Sequence, residues 1–266
     1  MADPALNVTH LRSPIEPERV VVLVPGLGTD VAGTWAYPAE RLDEGSHVIG
    51  LDLPGHGRSP AWEAAEPPPT IAQLARAVDS TVQAELERTG LATLPVHFAG
   101  ISLAGGVALQ LGLEHAETFT SVAVVCSAAK IGQSAAWEER AALVRSQGTE
   151  ALVDGSVARW FAPDFPATHH DVVEQLKQAL RGTDDASYAL LCETLISFDL
   201  SDRLGEITLP VLVIAGEEDT VTTADDAAAI GTGVDRSAVH ILADAAHQAP
   251  TEKPAQVAGL LNDFFV

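Results

Sequence analysis

Six short, continuously apolar runs rich in β-branched residues constrain this chain more than any other feature. They fall at residues 20–24, 47–51, 95–98, 121–125, 209–214 and 238–242. Unbroken hydrophobicity, as opposed to alternation, suits strands covered on both faces. The stretches between them have helical spacing. Ile71, Leu74, Val78 and Val82 recur at intervals of three and four, behind Thr70 as a predicted N-cap and a Pro67-Pro68-Pro69 lead-in. Residues 104–113 and 257–265 are also predicted helices. Strands alternating with helices predict an α/β fold with a mainly parallel sheet.

One region breaks the alternation. Residues 134–204 carry no strand signal and instead fit amphipathic helices near 137–146, 150–159, 171–180 and 185–195. A helical insertion between two strands belongs over the C-terminal edge of the sheet, where open α/β sheets bind ligands. The expected organisation is therefore a core of residues 1–133 and 205–266 with a helical cap of residues 134–204.

Composition narrows the partners. The 266 residues are 47% hydrophobic, which excludes a disordered chain despite a formal net charge of −22. That charge argues against nucleic acid and against an anionic membrane surface, since both need clustered Lys and Arg. It fits a solvated acidic shell, with adaptation to high salt as the sharper alternative. Cys126 and Cys192 match no metal or redox spacing, and no disulfide is expected between them. The N-terminus lacks the basic and apolar regions of a secretory signal. No apolar run approaches the roughly 18 residues of a membrane span. A cytoplasmic monomer or small homo-oligomer acting on a small molecule, without cofactor or metal, is the expectation.

Four motifs at predicted strand ends carry the chemistry. Gly100-Ile101-Ser102-Leu103-Ala104 follows a strand and precedes an apolar helix. A serine on such a sharp turn needs small residues two before and two after it, and exposes its hydroxyl at a helix N-terminus. Gly216-Glu217-Glu218-Asp219 follows another strand and offers a carboxylate to orient an imidazole; Asp219 is preferred, with Glu217 and Glu218 as rivals. His247, 28 residues beyond Asp219, follows the last strand in Asp244-Ala245-Ala246-His247. Val24-Pro25-Gly26-Leu27-Gly28 can turn a free backbone N–H toward an oxyanion, so Leu27 and Leu103 are the predicted donors. Of the other histidines, His240 reads as structural, His169 and His170 as surface cap residues. His56, in Asp52-Leu53-Pro54-Gly55-His56-Gly57, reads as a packing residue and not a base.

Serine, aspartate and histidine in that chain order resemble the α/β-hydrolase family, and the resemblance runs over nearly the whole chain. The cap narrows it. Ser127-Ala128-Ala129-Lys130-Ile131-Gly132, Trp137 with Arg140, Arg159-Trp160-Phe161-Ala162-Pro163, Tyr188 with Cys192, and Gly28-Thr29-Asp30 resemble 3-oxoadipate enol-lactonases. The resemblance implies opening of an enol-lactone in the β-ketoadipate branch of aromatic catabolism, through an acyl-enzyme on Ser102. Lys130, Arg140 and Arg159 then become candidates for holding a substrate carboxylate, with Trp137 and Trp160 as pocket walls. This chain departs from the family's pattern at 24–28, in a stretch from Gly28 to Trp35 that is one residue longer, and at Gln248-Ala249-Pro250, all three bordering the acyl pocket. A general carboxylesterase, a C–C bond hydrolase and a haloperoxidase-type hydrolase share the machinery. A non-catalytic ligand receptor on the same scaffold is the alternative outside catalysis, disfavoured by the intact trio.

Overall fold

Among the described residues, seven strands form one sheet in the order β1-β3-β2-β4-β5-β6-β7. The computed structural model describes residues 3–62 and 66–266. The strands are β1 (Val8–Arg12), β2 (Arg19–Val24), β3 (Ser46–Leu51), β4 (Val96–Ile101), β5 (Ser121–Val125), β6 (Val211–Gly216) and β7 (Ser237–Leu242). All neighbouring pairs are parallel except β1 with β3. Every predicted strand is present, within two residues at its start and three at its end.

Successive side chains of a strand face opposite ways, and β2 shows the consequence. Val20, Val22 and Val24 join one hydrophobic cluster, while Val21 and Leu23 join the other. The first cluster packs under α2 (Ile71–Thr89) and α3 (Leu103–Glu114); the second lies under α1 (Val31–Ala39) and α11 (Pro254–Phe264). Thr70 caps α2 as expected, with a reciprocal bond from its backbone N–H to Gln73.

Between β5 and β6 the described chain is wholly helical or irregular. It contains α4 (Ser134–Gln147), α5 (Val153–Trp160), α6 (Phe165–Thr168), α7 (His170–Gly182) and α8 (Asp185–Ser197). The insertion shares the first cluster with the sheet: Trp137, Leu176, Leu180 and Tyr188 belong to it alongside Val22 and Val124. The chain closes with α9 (Ala224–Gly233), β7, α10 (Ala249–Glu252) and α11.

Two expectations need correction. β1 is an extra strand at the sheet edge, with the alternating polar sequence VTHLR. β7 is not covered on both faces; it is the other edge, with Val239 and Ile241 38% and 43% exposed. His240 lies on β7, as the sequence places it, and is exposed. Cys126 and Cys192 are buried free thiols. No described helix is long and apolar enough to cross a membrane.

Candidate active site

Among the described residues, three non-glycine residues have positive φ: Ser102 at 58°, Cys126 at 42° and Asp244 at 52°. They directly follow β4 and β5 and lie two residues beyond β7, at the strand C-termini. Such conformations cost on the order of 1–3 kcal/mol each and persist only where surrounding contacts enforce them.

The contacts enforcing Ser102 are identifiable. Its N–H donates to Val125 O at 2.9 Å, and its carbonyl accepts from the Ser127 hydroxyl at 2.7 Å and from the N–H groups of Gly105 and Gly106 in the first turn of α3. A Cβ on Gly100 would lie 2.2 Å from Ala104 O, and one on Gly105 would lie 2.4 Å from Ser127 Cβ. The glycine two residues before Ser102 is thus demanded by the closeness of the Ala104 backbone, and Gly105 by the Ser127 side chain. The Ser102 residue is only 8% exposed.

Asp219 and His247 are brought together by a second close approach. A Cβ on Gly216 would fall 2.4 Å from both Ala245 O and Ala246 O, so loop 244–247 lies directly on the end of β6. Glu217 and Glu218 donate their N–H groups to Leu242 O and Ala245 O, and their side chains are exposed. Asp219 alone of the three acids is buried. Its Oδ2 is 2.8 Å from His247 Nδ1 and accepts from the Thr222 hydroxyl, while Oδ1 accepts from the Val221 and Thr222 N–H groups. Burial pushes the Asp219 pKa up, but the His247 charge and these hydrogen bonds outweigh it and hold the carboxyl below its usual value.

Ser102 and His247 line one small cavity of about 30 Å³. They are not hydrogen-bonded to each other. Leu27, Trp137, Arg140, Ser156, Arg159, Trp160, Tyr188 and Val221 complete the wall. Among the described residues, the N–H groups of Leu27 and Leu103 donate to no protein acceptor. Leu103 is fully buried, directly behind Ser102 at the first position of α3. A Cβ on Gly26 would meet Ser102 Cβ at 3.2 Å, showing how closely the turn after β2 approaches the serine.

Arg140 donates to Tyr188 Oη at 2.8 Å and to Ser156 Oγ at 3.2 Å, with its guanidinium 5.6 Å from the Tyr188 ring centre. Burial and the nearby Arg140 charge lower the Arg159 pKa. Among the described residues, neither arginine has a carboxylate within ion-pair distance. Lys130 does not join them: it pairs with Asp199 at 3.2 Å on the surface, both side chains nearly half exposed. The nearer carboxylate has claimed it. His169 and His170 are exposed, as expected. Trp137 and Trp160 line the cavity; Trp137 is anchored by its indole N–H to Ile131 O.

Glu252 was not singled out from sequence. Its buried carboxylate accepts from Ala246 N–H, beside His247, and from Ala162 N–H in the insertion, both at 2.7 Å. Gln248 N–H adds a bond to Trp160 O at 2.8 Å. The loop bearing His247 is thereby stitched to the segment bearing Trp160. Nothing in the local sequence, an acid five places past His247 between Thr251 and Lys253, marks it out.

A strained serine turn at the end of a parallel strand, with a buried Asp–His pair at the neighbouring strand ends, is the architecture of an α/β hydrolase. The chain matches the alpha/beta hydrolase family over residues 21–260 and belongs to it. It is 33% identical to 3-oxoadipate enol-lactonase 2 of Acinetobacter baylyi, over 95% of this chain and 90% of the relative. It is 31% identical to 3-oxoadipate enol-lactonase 1 of the same organism, over 92% of this chain and 87% of the relative. The solved enol-lactonase of Burkholderia xenovorans superposes with a TM-score of 0.88 at 28% identity, covering 98% of this chain and 96% of that one.

Two outcomes follow for the site's construction. Gly100→Ala should cost about 2 kcal/mol or more in urea denaturation, because neither backbone can retreat from the added methyl; an unchanged midpoint would contradict the close approach. Because the Asp219 pKa is lowered by folding, its carboxylate contributes stability above the unfolded value of about 4 and loses it as pH falls through the lowered value. The stability gap between wild type and Asp219→Asn should therefore shrink with acidification below that value. A gap independent of pH would contradict it.

Proposed function

We propose that the protein hydrolyses a small lactone or ester bearing a free carboxylate, with 3-oxoadipate enol-lactone as the specific substrate, through an acyl-enzyme on Ser102. The observation that carries the anionic substrate is the pair Arg140 and Arg159 beside the Ser102 cavity. In a chain with 37 Asp and Glu against 15 Lys and Arg, two neighbouring cations lack any ion-pair partner among the described residues. Leaving them so costs mutual repulsion and desolvation, which a bound carboxylate offsets. The naming of the two Acinetobacter relatives supports the same substrate.

In this reading His247 takes the proton from Ser102 as the oxygen attacks the lactone carbonyl. Asp219 holds the imidazole in the tautomer with its free lone pair on Nε2 and stabilises the cation that forms. The N–H groups of Leu27 and Leu103 receive the oxyanion; one such donor is worth on the order of 3 kcal/mol. Collapse breaks the ring C–O bond. His247 returns its proton to the leaving enol oxygen, and the enol tautomerises to a ketone. A water deprotonated by His247 then attacks the ester to Ser102, releasing the acid and restoring the hydroxyl. Residues 134–204 act as the cap, with Trp137 and Trp160 as walls. A cavity of about 30 Å³ holds a water or two, so the cap must yield to admit a lactone ring.

The test compares a carboxylate-bearing enol-lactone with a neutral lactone of similar size. Ser102→Ala should remove most of kcat on both while the fold survives. Arg140→Ala should raise KM about tenfold or more for the charged substrate and little for the neutral one, as expected for a charge-assisted bond. Equal effects on both lactones would discard the carboxylate role and favour a general esterase.

A further inference from the structure

The turn at residues 26–29 must present one N–H and occupy the others, and the structure shows how. Thr29 donates both its N–H (3.2 Å) and its hydroxyl (2.9 Å) to Gly26 O. Gly26 O and Leu27 N–H belong to one planar peptide unit and point in opposite directions. Holding the carbonyl therefore aims the Leu27 N–H. The next peptide unit carries the Gly28 N–H, which donates to His56 Nε2 at 2.9 Å.

His56 is suited to that bond alone. It is fully buried. Its Nδ1 lies 2.9 Å from Pro54 O, which can only accept, and its Nε2 meets an N–H, which can only donate. The tautomer is thereby fixed, with the proton on Nδ1 and the lone pair on Nε2. Burial pushes its pKa down to about 4, so the ring is neutral near pH 7. Gly28 has φ of 81°, and a Cβ there would meet Leu180 Cδ1 at 2.8 Å and Tyr188 at 3.1 Å. Tyr188 in turn stacks on His56, ring centres 6.1 Å apart, and accepts the bond from Arg140.

We infer that His56 is a positioning residue for the acyl-transfer step: by accepting the Gly28 N–H it locks the second peptide plane of the turn, so that the Leu27 N–H stays aimed beside Ser102. The inference rests on reading Ser102 as the nucleophile. Without the acceptor, the 27–28 peptide can rotate about the glycine, and the aim of its neighbour loosens. The loss falls on the oxyanion, which exists only in the transition state, and not on the ground-state substrate.

Two substitutions separate the two bonds of the ring. The Asn amide in His56→Asn overlies Nδ1 and keeps the bond to Pro54 O, but offers Gly28 nothing. His56→Gln reaches the Nε2 position and can accept from Gly28. Each variant is titrated for competent serines with a fluorophosphonate, and kcat and KM are taken per titrated site. His56→Asn should lose about tenfold or more in kcat with KM nearly unchanged, less than the roughly hundredfold expected for loss of a whole oxyanion donor. His56→Gln should recover most of it. Wild-type kcat in His56→Asn, or an equal fall in both variants, would overturn the inference. If neither variant folds, ¹⁵N spectra of histidine-labelled wild type decide: an unprotonated Nε2 on His56 upholds it and a protonated one overturns it. Ser102→Ala is run alongside, since turnover in that variant would strike the nucleophile assignment and not the placement of His56.

Discussion

The site depends on one constraint, a serine held at φ 58° where β4 passes into α3. That conformation is unfavourable for a side chain with a Cβ, and it is enforced from three sides. β5 supplies the Val125 carbonyl, Ser127 supplies a hydroxyl, and α3 closes its first turn onto the Ser102 carbonyl. Each enforcing group lies in β5, just beyond it or in the helix that follows β4. The sheet order puts β5 beside β4 and β6 beside β5, so Asp219 and His247 arrive at adjacent strand ends. The hydrophobic burial of the sheet thus supplies the energy that offsets a locally strained backbone.

The insertion and the core are joined where the chemistry sits. Glu252 and Gln248 tie the His247 loop to residues 160–162, and Tyr188 touches both Arg140 and the turn after β2. A displacement of the insertion is therefore felt by the His247 loop and the turn after β2 alike. The acidic surface gives the two cavity arginines their meaning. Screening beyond about 8 Å at physiological salt weakens the long-range repulsion of an anion. Inside the cavity the nearby cations dominate, because shielding by water is weakest there.

Much of this was legible in the sequence. Apolar runs marked six of seven strands, and glycine and alanine around Ser102 marked the turn, because steric demands leave a residue-type record. β1 escaped notice because an edge strand needs no continuous apolar run, and β7 was misread because its apolar residues are exposed at an edge. Asp219 could be preferred over Glu217 and Glu218, yet only the fold explains it: Asp219 alone is turned inward under His247. Lys130 shared its motif with true cavity residues and was diverted by Asp199, a neighbour sixty-nine positions away whose proximity no local pattern records. The partners of Glu252 and His56 are backbone N–H and C=O groups, which leave no trace in residue identity.

The central claim is that Ser102 forms a covalent ester with the carbonyl carbon of its substrate. Acid quenching during turnover of a lactone, followed by peptide mass spectrometry, tests it most directly. The account requires a mass increase equal to the ring-opened lactone on the peptide containing Ser102, absent from Ser102→Ala. Turnover without any adduct, or an adduct on another residue at the same rate, would contradict it.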